Sequence, residues 1–232
     1  MKYMGSKARF AKFLLPIILK DRRPNQVYIE PFAGGMNMID KVDGVRIAND
    51  QHKELMAMWQ ALIYDNWDPP KSITYDEYQH MRYNREEYPD YLLGYVGFNS
   101  FGAKWFAGYR RDKIGKRDYW GEHYRNIIKQ VPNLERVKLS CKSYTDLEIP
   151  KNSIIYCDPP YAATTKYSLK FDHKQFWDWC REQSKAGHLV FVSEFQAPSD
   201  FICVWEKVAK TNLRYDKATT GTKRITEKLF VY

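Results

Sequence analysis

One short stretch constrains this chain more than any other. Ser153-Ile154-Ile155-Tyr156-Cys157 is an apolar, β-branched run of the kind found in buried strands, and it leads directly into Asp158-Pro159-Pro160-Tyr161. Proline fixes φ and carries no backbone N–H, so the pair cannot extend the ladder and holds its carbonyls in a rigid, outward arrangement. A carboxylate beside a fixed carbonyl offers two hydrogen-bond acceptors. Two acceptors match the two hydrogens of an exocyclic amino group. Tyr161 adds a flat face on which a base can stack, a contact worth roughly 1–3 kcal/mol.

The rest of the chain supplies a sheet to carry that stretch. Strands are expected at 27–30, 45–48, 136–141, 153–157, 188–192, 202–209 and 225–232. Helices are expected at 8–20, at 52–63 with Leu55, Met58, Trp59 and Leu62 inward, and at 173–186 with Phe176, Trp177 and Cys180 inward. Between residues 71 and 136 tyrosine is dense, the periodicity is weak and glycines recur, which indicates an insertion of short helices and loops. Strands alternating with helices on both flanks indicate an open α/β sheet with helices on both faces, in which ligands bind at the carboxyl ends of the strands.

Two more strand ends carry chemistry. Glu30-Pro31-Phe32-Ala33-Gly34-Gly35 ends the first strand in a glycine turn, which lets a ligand approach the backbone closely. It lacks the G-x-G-x-x-G spacing of a dinucleotide fold. Asp50 ends the next strand, 20 residues after Glu30. An acidic side chain there can accept both hydroxyls of a ribose, or else cap the helix that follows.

Composition narrows the partner. Lys and Arg number 37 against 28 Asp and Glu, a net charge of +9. The excess clusters in residues 1–23 and again at Lys104, Arg110, Arg111, Lys113, Lys116 and Arg117, a pattern that suits a polyanion. No apolar run reaches the roughly 18 residues of a membrane span. The first ten residues lack the apolar region of a signal peptide. The four cysteines, spaced by 16, 23 and 23 residues, form no zinc pattern, and the five histidines show no ligand pattern, so no metal is expected. Reduced thiols and a cytoplasmic location, in a prokaryotic cell or a virus-infected host, are the corresponding expectations.

Taken in order, these motifs resemble the Dam-type DNA adenine-N6 methyltransferases, which use S-adenosylmethionine. Asp158–Tyr161 is similar to the family's hallmark tetrapeptide. Tyr3-Met4-Gly5-Ser6-Lys7 resembles its N-terminal cofactor motif, the glycine turn its loop motif and Asn49-Asp50 its ribose-binding motif. Cys141–Asp146 resembles the segment that holds the cofactor adenine, and 220–224 resembles the family's C-terminal end. Met36 stands where the family's loop often has glycine, and Tyr3 where tryptophan is common.

The resemblance implies a Rossmann-like class I methyltransferase sheet formed by residues 1–66 and 137–232, with an inserted, mainly helical and loop target-recognition domain at 67–136. It implies cofactor contacts from Tyr3, Lys7, Glu30, Phe32, Gly34, Gly35, Asp50, Ser143, Tyr144 and Asp158. It implies catalysis by Asp158, Pro159, Pro160 and Tyr161 on an adenine flipped out of double-stranded DNA. The basic cluster at 104–117 would bind that DNA, with no membrane or metal involved and the chain acting as a monomer or weak dimer. RNA adenine, cytosine N4 and protein glutamine share the same amino chemistry, and a DNA-binding module with an inactive cofactor fold is the non-enzymatic alternative.

Overall fold

The computed structural model describes the chain except residue 113, residues 162–170 and residues 212–222. Among the described residues are six α-helices: α1 (Ala11–Ile18), α2 (Lys53–Ile63), α3 (Tyr75–Tyr83), α4 (Asp90–Phe98), α5 (Tyr119–Gln130) and α6 (His173–Lys185). The described residues also form seven strands: β1 (Tyr28–Glu30), β2 (Arg46–Asn49), β3 (Val137–Ser140), β4 (Ile154–Cys157), β5 (Leu189–Glu194), β6 (Ile202–Thr211) and β7 (Lys223–Val231). They are distributed over two compact units, one formed by Met1–Ala11 and Ala33–Leu147, the other by Lys12–Phe32 and Glu148–Tyr232.

The second unit carries the strand order β1-β4-β5-β7-β6. β4 pairs in parallel with β1 and with β5, and β7 runs antiparallel to both β5 and β6. This mixed sheet is Rossmann-like. All four residues of β4 are buried, as a strand flanked by parallel neighbours requires. Helix α6 starts at Asp172, whose carboxylate accepts the Gln175 N–H at 2.9 Å. Its buried side chains are Phe176, Trp179 and Cys180 rather than the expected set with Trp177. Positions three and four apart share a helix face, so 179 and 180 both follow 176, whereas 177 is rotated away. Trp177 instead packs half-buried against Phe201, with ring centroids 4.7 Å apart.

In the first unit β2 and β3 pair in parallel, Arg46 opposite Val137 through Asn49 opposite Ser140. Arg46 is buried, and its guanidinium donates to the carbonyls of Ile39, Asn133 and Glu135 at 3.2, 2.7 and 2.8 Å. Helix α2 buries the expected Leu55, Met58, Trp59 and Leu62, together with Met56 and Ala61. The stretch that looked irregular in sequence holds α3, α4 and α5. Its weak periodicity has a physical cause: from Leu93 to Phe98 every residue of α4 is buried, so there is no polar face to set a 3.6-residue rhythm. Thr74 opens α3 with a capping box, accepting from the Glu77 N–H and donating its own N–H to the Glu77 carboxylate.

Helices α2 and α4 approach so closely that a Cβ at residue 94 would lie 2.1 Å from the Glu54 carbonyl oxygen. Gly94→Ala should therefore force the two helices apart and destabilise the protein by about 1–3 kcal/mol. Urea denaturation reads this as a lowered midpoint; an unchanged midpoint would mean the helices do not pack this tightly.

Candidate functional site

In the first unit the glycine turn is held from several sides. The Ala33 N–H donates to the Asn49 carbonyl at 2.8 Å, tying the turn to the end of β2. Trp59 Nε1 of α2 donates to the Gly34 carbonyl at 3.1 Å. Gln130 Nε2, at the end of α5, donates to the carbonyls of Gly35 and Met36, each at 3.0 Å. Gly34 and Met36 both take left-handed backbone, with φ of +49° and +52°. At the place where the family often has glycine, Met36 thus adopts a glycine-like conformation. For a residue with a Cβ this costs about 1–2 kcal/mol, and the complete burial of Met36 helps to offset it.

Asp50 is tied into the same turn. Its Oδ2 accepts the Gly34 N–H at 2.9 Å and its Oδ1 accepts the His52 N–H at 3.0 Å. Burial raises its carboxyl above the ordinary value of 3.8, and these backbone donors offset only part of that rise. The Tyr3 side chain lies over the turn: a Cβ at residue 34 would meet the ring at 2.6 Å, and one at residue 35 would meet the Tyr3 Cβ at 2.6 Å. Both glycines are needed for that contact. Lys7 is buried, and its ammonium donates to the Gly5 carbonyl at 3.0 Å. Asn49 exchanges two hydrogen bonds of 3.0 Å with the backbone of Lys142. This anchors the next segment, where Ser143 caps a short turn and Tyr144 is buried. The first unit therefore brings together Tyr3, Gly34, Gly35 and Asp50, and ties the segment of Ser143 and Tyr144 to the residue before Asp50.

In the second unit the parallel registers align three strand ends. Ile29 lies opposite Ile155, and Cys157 opposite Val192. Glu30, Asp158 and Glu194 consequently sit at the carboxyl ends of adjacent strands β1, β4 and β5. Glu30 is buried and accepts from the Tyr28 hydroxyl at 2.9 Å. Asp158 is half-buried, while Pro159 and Tyr161 are buried. The Tyr161 hydroxyl donates to Glu227 Oε2 of β7 at 3.1 Å. Its ring meets Phe195 edge-on, with centroids 4.7 Å apart. Burial first, and then the charge of Asp158, push the phenols of Tyr156 and Tyr161 well above their ordinary value, so both stay neutral. Phe32 packs against Phe171 and Phe176.

Residues 3–92 match the family model of the D12 class N6 adenine-specific DNA methyltransferases. The match agrees with the Dam-type resemblance of the motifs and supports adenine-N6 methylation of DNA as the general activity. It takes in Tyr3, Lys7, the glycine turn and Asp50. A match to a family of this kind implies S-adenosylmethionine as methyl donor and DNA as substrate. Among the described residues no helix is long and apolar enough to cross a membrane.

The basic residues assigned to DNA are not equivalent. Arg110 and Arg111 line an open cleft of about 590 Å³ together with Lys2, Tyr3, Phe101 and Tyr119. Arg110 stacks on Tyr119 at 4.3 Å and donates to Asn99 Oδ1 at 3.3 Å. Arg111 is exposed and lies 5.8 Å from the Tyr75 ring centre. Lys104 and Lys116 are exposed. Arg117 forms a two-pronged ion pair with Glu122, at 2.8 and 3.1 Å. Lys113 and the motif residues 220–222 lie outside the described residues.

One aromatic group beside this region was not foreseen from the sequence. His52 meets Trp105 and Phe98 edge-on at 4.5 and 5.0 Å, and Phe98 meets Tyr3 at 5.3 Å. Burial lowers the His52 pKa, which favours the neutral ring. Only its place two residues after Asp50 could have pointed to it.

Because Asp50 serves the turn as well as any ligand, its removal should be felt without one. Asp50→Ala leaves the Gly34 and His52 N–H groups without their acceptor and should cost about 1–3 kcal/mol in chemical denaturation. Asp50→Asn, which keeps an acceptor, should lose less; equal stability in all three would show that the carboxylate does not hold the turn.

Proposed function

We propose that this chain transfers a methyl group from S-adenosylmethionine to the N6 amino group of an adenine flipped out of double-stranded DNA. The observation that carries the proposal is the Asp158-Pro159-Pro160-Tyr161 segment at the carboxyl end of the buried strand β4. The family match over residues 3–92 supports it independently, since that span stops well before the tetrapeptide.

The residues present suit the cofactor. Asp50, an acceptor already oriented by two backbone N–H groups, would take the ribose hydroxyls. Gly34 and Gly35 would allow close approach to the backbone, and Tyr3, Phe32 and Tyr144 offer apolar faces for an adenine. Glu30 and Lys7 supply opposite charges for the amino and carboxyl groups of the methionine part, and Ser143 a hydroxyl. The cofactor, when bound, supplies an electrophilic methyl group.

The remaining chemistry belongs to the chain. The N6 lone pair of adenine is delocalised into the ring, so the nitrogen is a weak nucleophile. The Asp158 carboxylate and the Pro159 carbonyl would each accept one N6 hydrogen and draw the nitrogen toward tetrahedral geometry. That frees the lone pair and stabilises the positive charge that develops on nitrogen. The N–C bond would form as the donor's methyl–sulfur bond breaks, leaving a neutral thioether, and the resulting ammonium would give up one proton to Asp158 or to water. Pro160 keeps this pair of acceptors rigid, and Tyr161 supplies the stacking face. Flipping the base costs a few kcal/mol. Stacking offsets part of it, and phosphate contacts from the inserted segment 67–136 offset more, led by Arg110 and Arg111, with Lys104, Lys113, Lys116 and Arg117 adding to the positive field.

The test is to map N6-methyladenine across DNA from cells that express the chain or its Asp158→Ala variant. The wild type should mark adenines in one short sequence context and the variant should mark none. Methylation that survives in the variant would remove Asp158 from its role; none with a folded wild type would remove the proposal.

A further inference from the structure

The tetrapeptide fixes its own backbone but not its last side chain. Pro159 and Pro160 restrict φ at two positions, while the Tyr161 ring remains free to turn about its own bonds. Something else must set its plane if it is to serve as a stacking face. The hydroxyl is bonded to Glu227 Oε2 at 3.1 Å, and the ring is met edge-on by Phe195, 89° away in plane and 4.7 Å away in centre. Glu227 belongs to β7, a strand bonded on both sides: residue 227 pairs with Lys207 of β6, and the next residue pairs with Glu194 of β5. Its backbone cannot drift. It is also buried, although a buried carboxylate is costly unless it makes good hydrogen bonds. No sequence motif used above contains it.

Resting on the reading given under Proposed function, we infer that Glu227 is a positioning residue, which acts on the flipped base by fixing the plane of the Tyr161 ring through its hydroxyl. The Tyr161 phenol, held neutral, donates at any working pH, and Glu227 accepts. Loss of this bond leaves the stacking face present but poorly aimed, so the target nitrogen reaches its acceptors less often.

The experiment measures steady-state methylation of duplex DNA carrying the mapped site, at saturating S-adenosylmethionine, for wild type, Glu227→Gln, Glu227→Leu, Tyr161→Phe and the Glu227→Leu/Tyr161→Phe double variant. Glu227→Gln keeps an acceptor and should retain kcat within about threefold. Glu227→Leu should lower kcat about 10- to 100-fold, the scale of a small misplacement. KM for DNA should move less than about threefold, because phosphate contacts dominate affinity. Tyr161→Phe should reproduce that loss, and the double variant should be no worse than the poorer single one. Wild-type kcat in Glu227→Leu, or losses that multiply in the double variant, would overturn the inference. Should Glu227→Leu fail to fold, wild-type kcat in Tyr161→Phe overturns it equally. An inactive wild type would instead overturn the underlying methyltransferase reading, and this inference with it.

Discussion

Two prolines in succession at the end of a fully buried parallel strand impose the constraint on which the proposed chemistry depends. β4 is sealed between β1 and β5, so its residues have no freedom until Cys157. The chain then enters a segment with two missing donors and two fixed φ angles. Asp158 sits at that boundary, half-buried and level with the ends of the neighbouring strands, where Glu30 and Glu194 also emerge. The sheet gathers carboxylates at one edge, and buried phenols accompany them: Tyr28 donates to Glu30, and Tyr161 to Glu227. Each of those buried carboxylates thus has a charge-assisted hydrogen bond, which is what makes its burial tolerable.

The first unit solves a different problem, that of holding a glycine turn in a left-handed conformation from several sides. Its glycine turn bonds to β2 through Ala33 and Asp50, to α2 through Trp59 and to α5 through Gln130. Helix α5 belongs to the stretch read in sequence as an insertion. That stretch therefore supports the turn as well as carrying Arg110 and Arg111.

Most of the fold was legible in the sequence because apolar residues recur where elements bury one face. The stripe of α2 and the run of β4 are the clearest cases. The inward face of α6 was misjudged at one position, since tryptophans at 177 and 179 are equally apolar and only helical geometry separates them. The 67–136 stretch was opaque because α4 is buried all round and α3 buries only Tyr78 and Met81. Among the candidate site residues, Gly34, Gly35 and Asp50 stand out in sequence because they follow strand ends, and Tyr3 because its motif resembles the family's N-terminal one. Glu227 was not, because its partner Tyr161 lies 66 residues earlier in the chain. Nor were Phe98, Trp105 and His52, whose cluster is made by tertiary packing alone.

On the proposed reading, a rigid pair of oxygen acceptors activates the exocyclic amino nitrogen of adenine. The most direct measurement gives the purified chain a cofactor with an isotopically labelled methyl group and unmethylated duplex DNA, then digests the product to nucleosides. Label is expected in N6-methyldeoxyadenosine alone. Label in N4-methyldeoxycytidine, or label accepted only by RNA or protein, would contradict it.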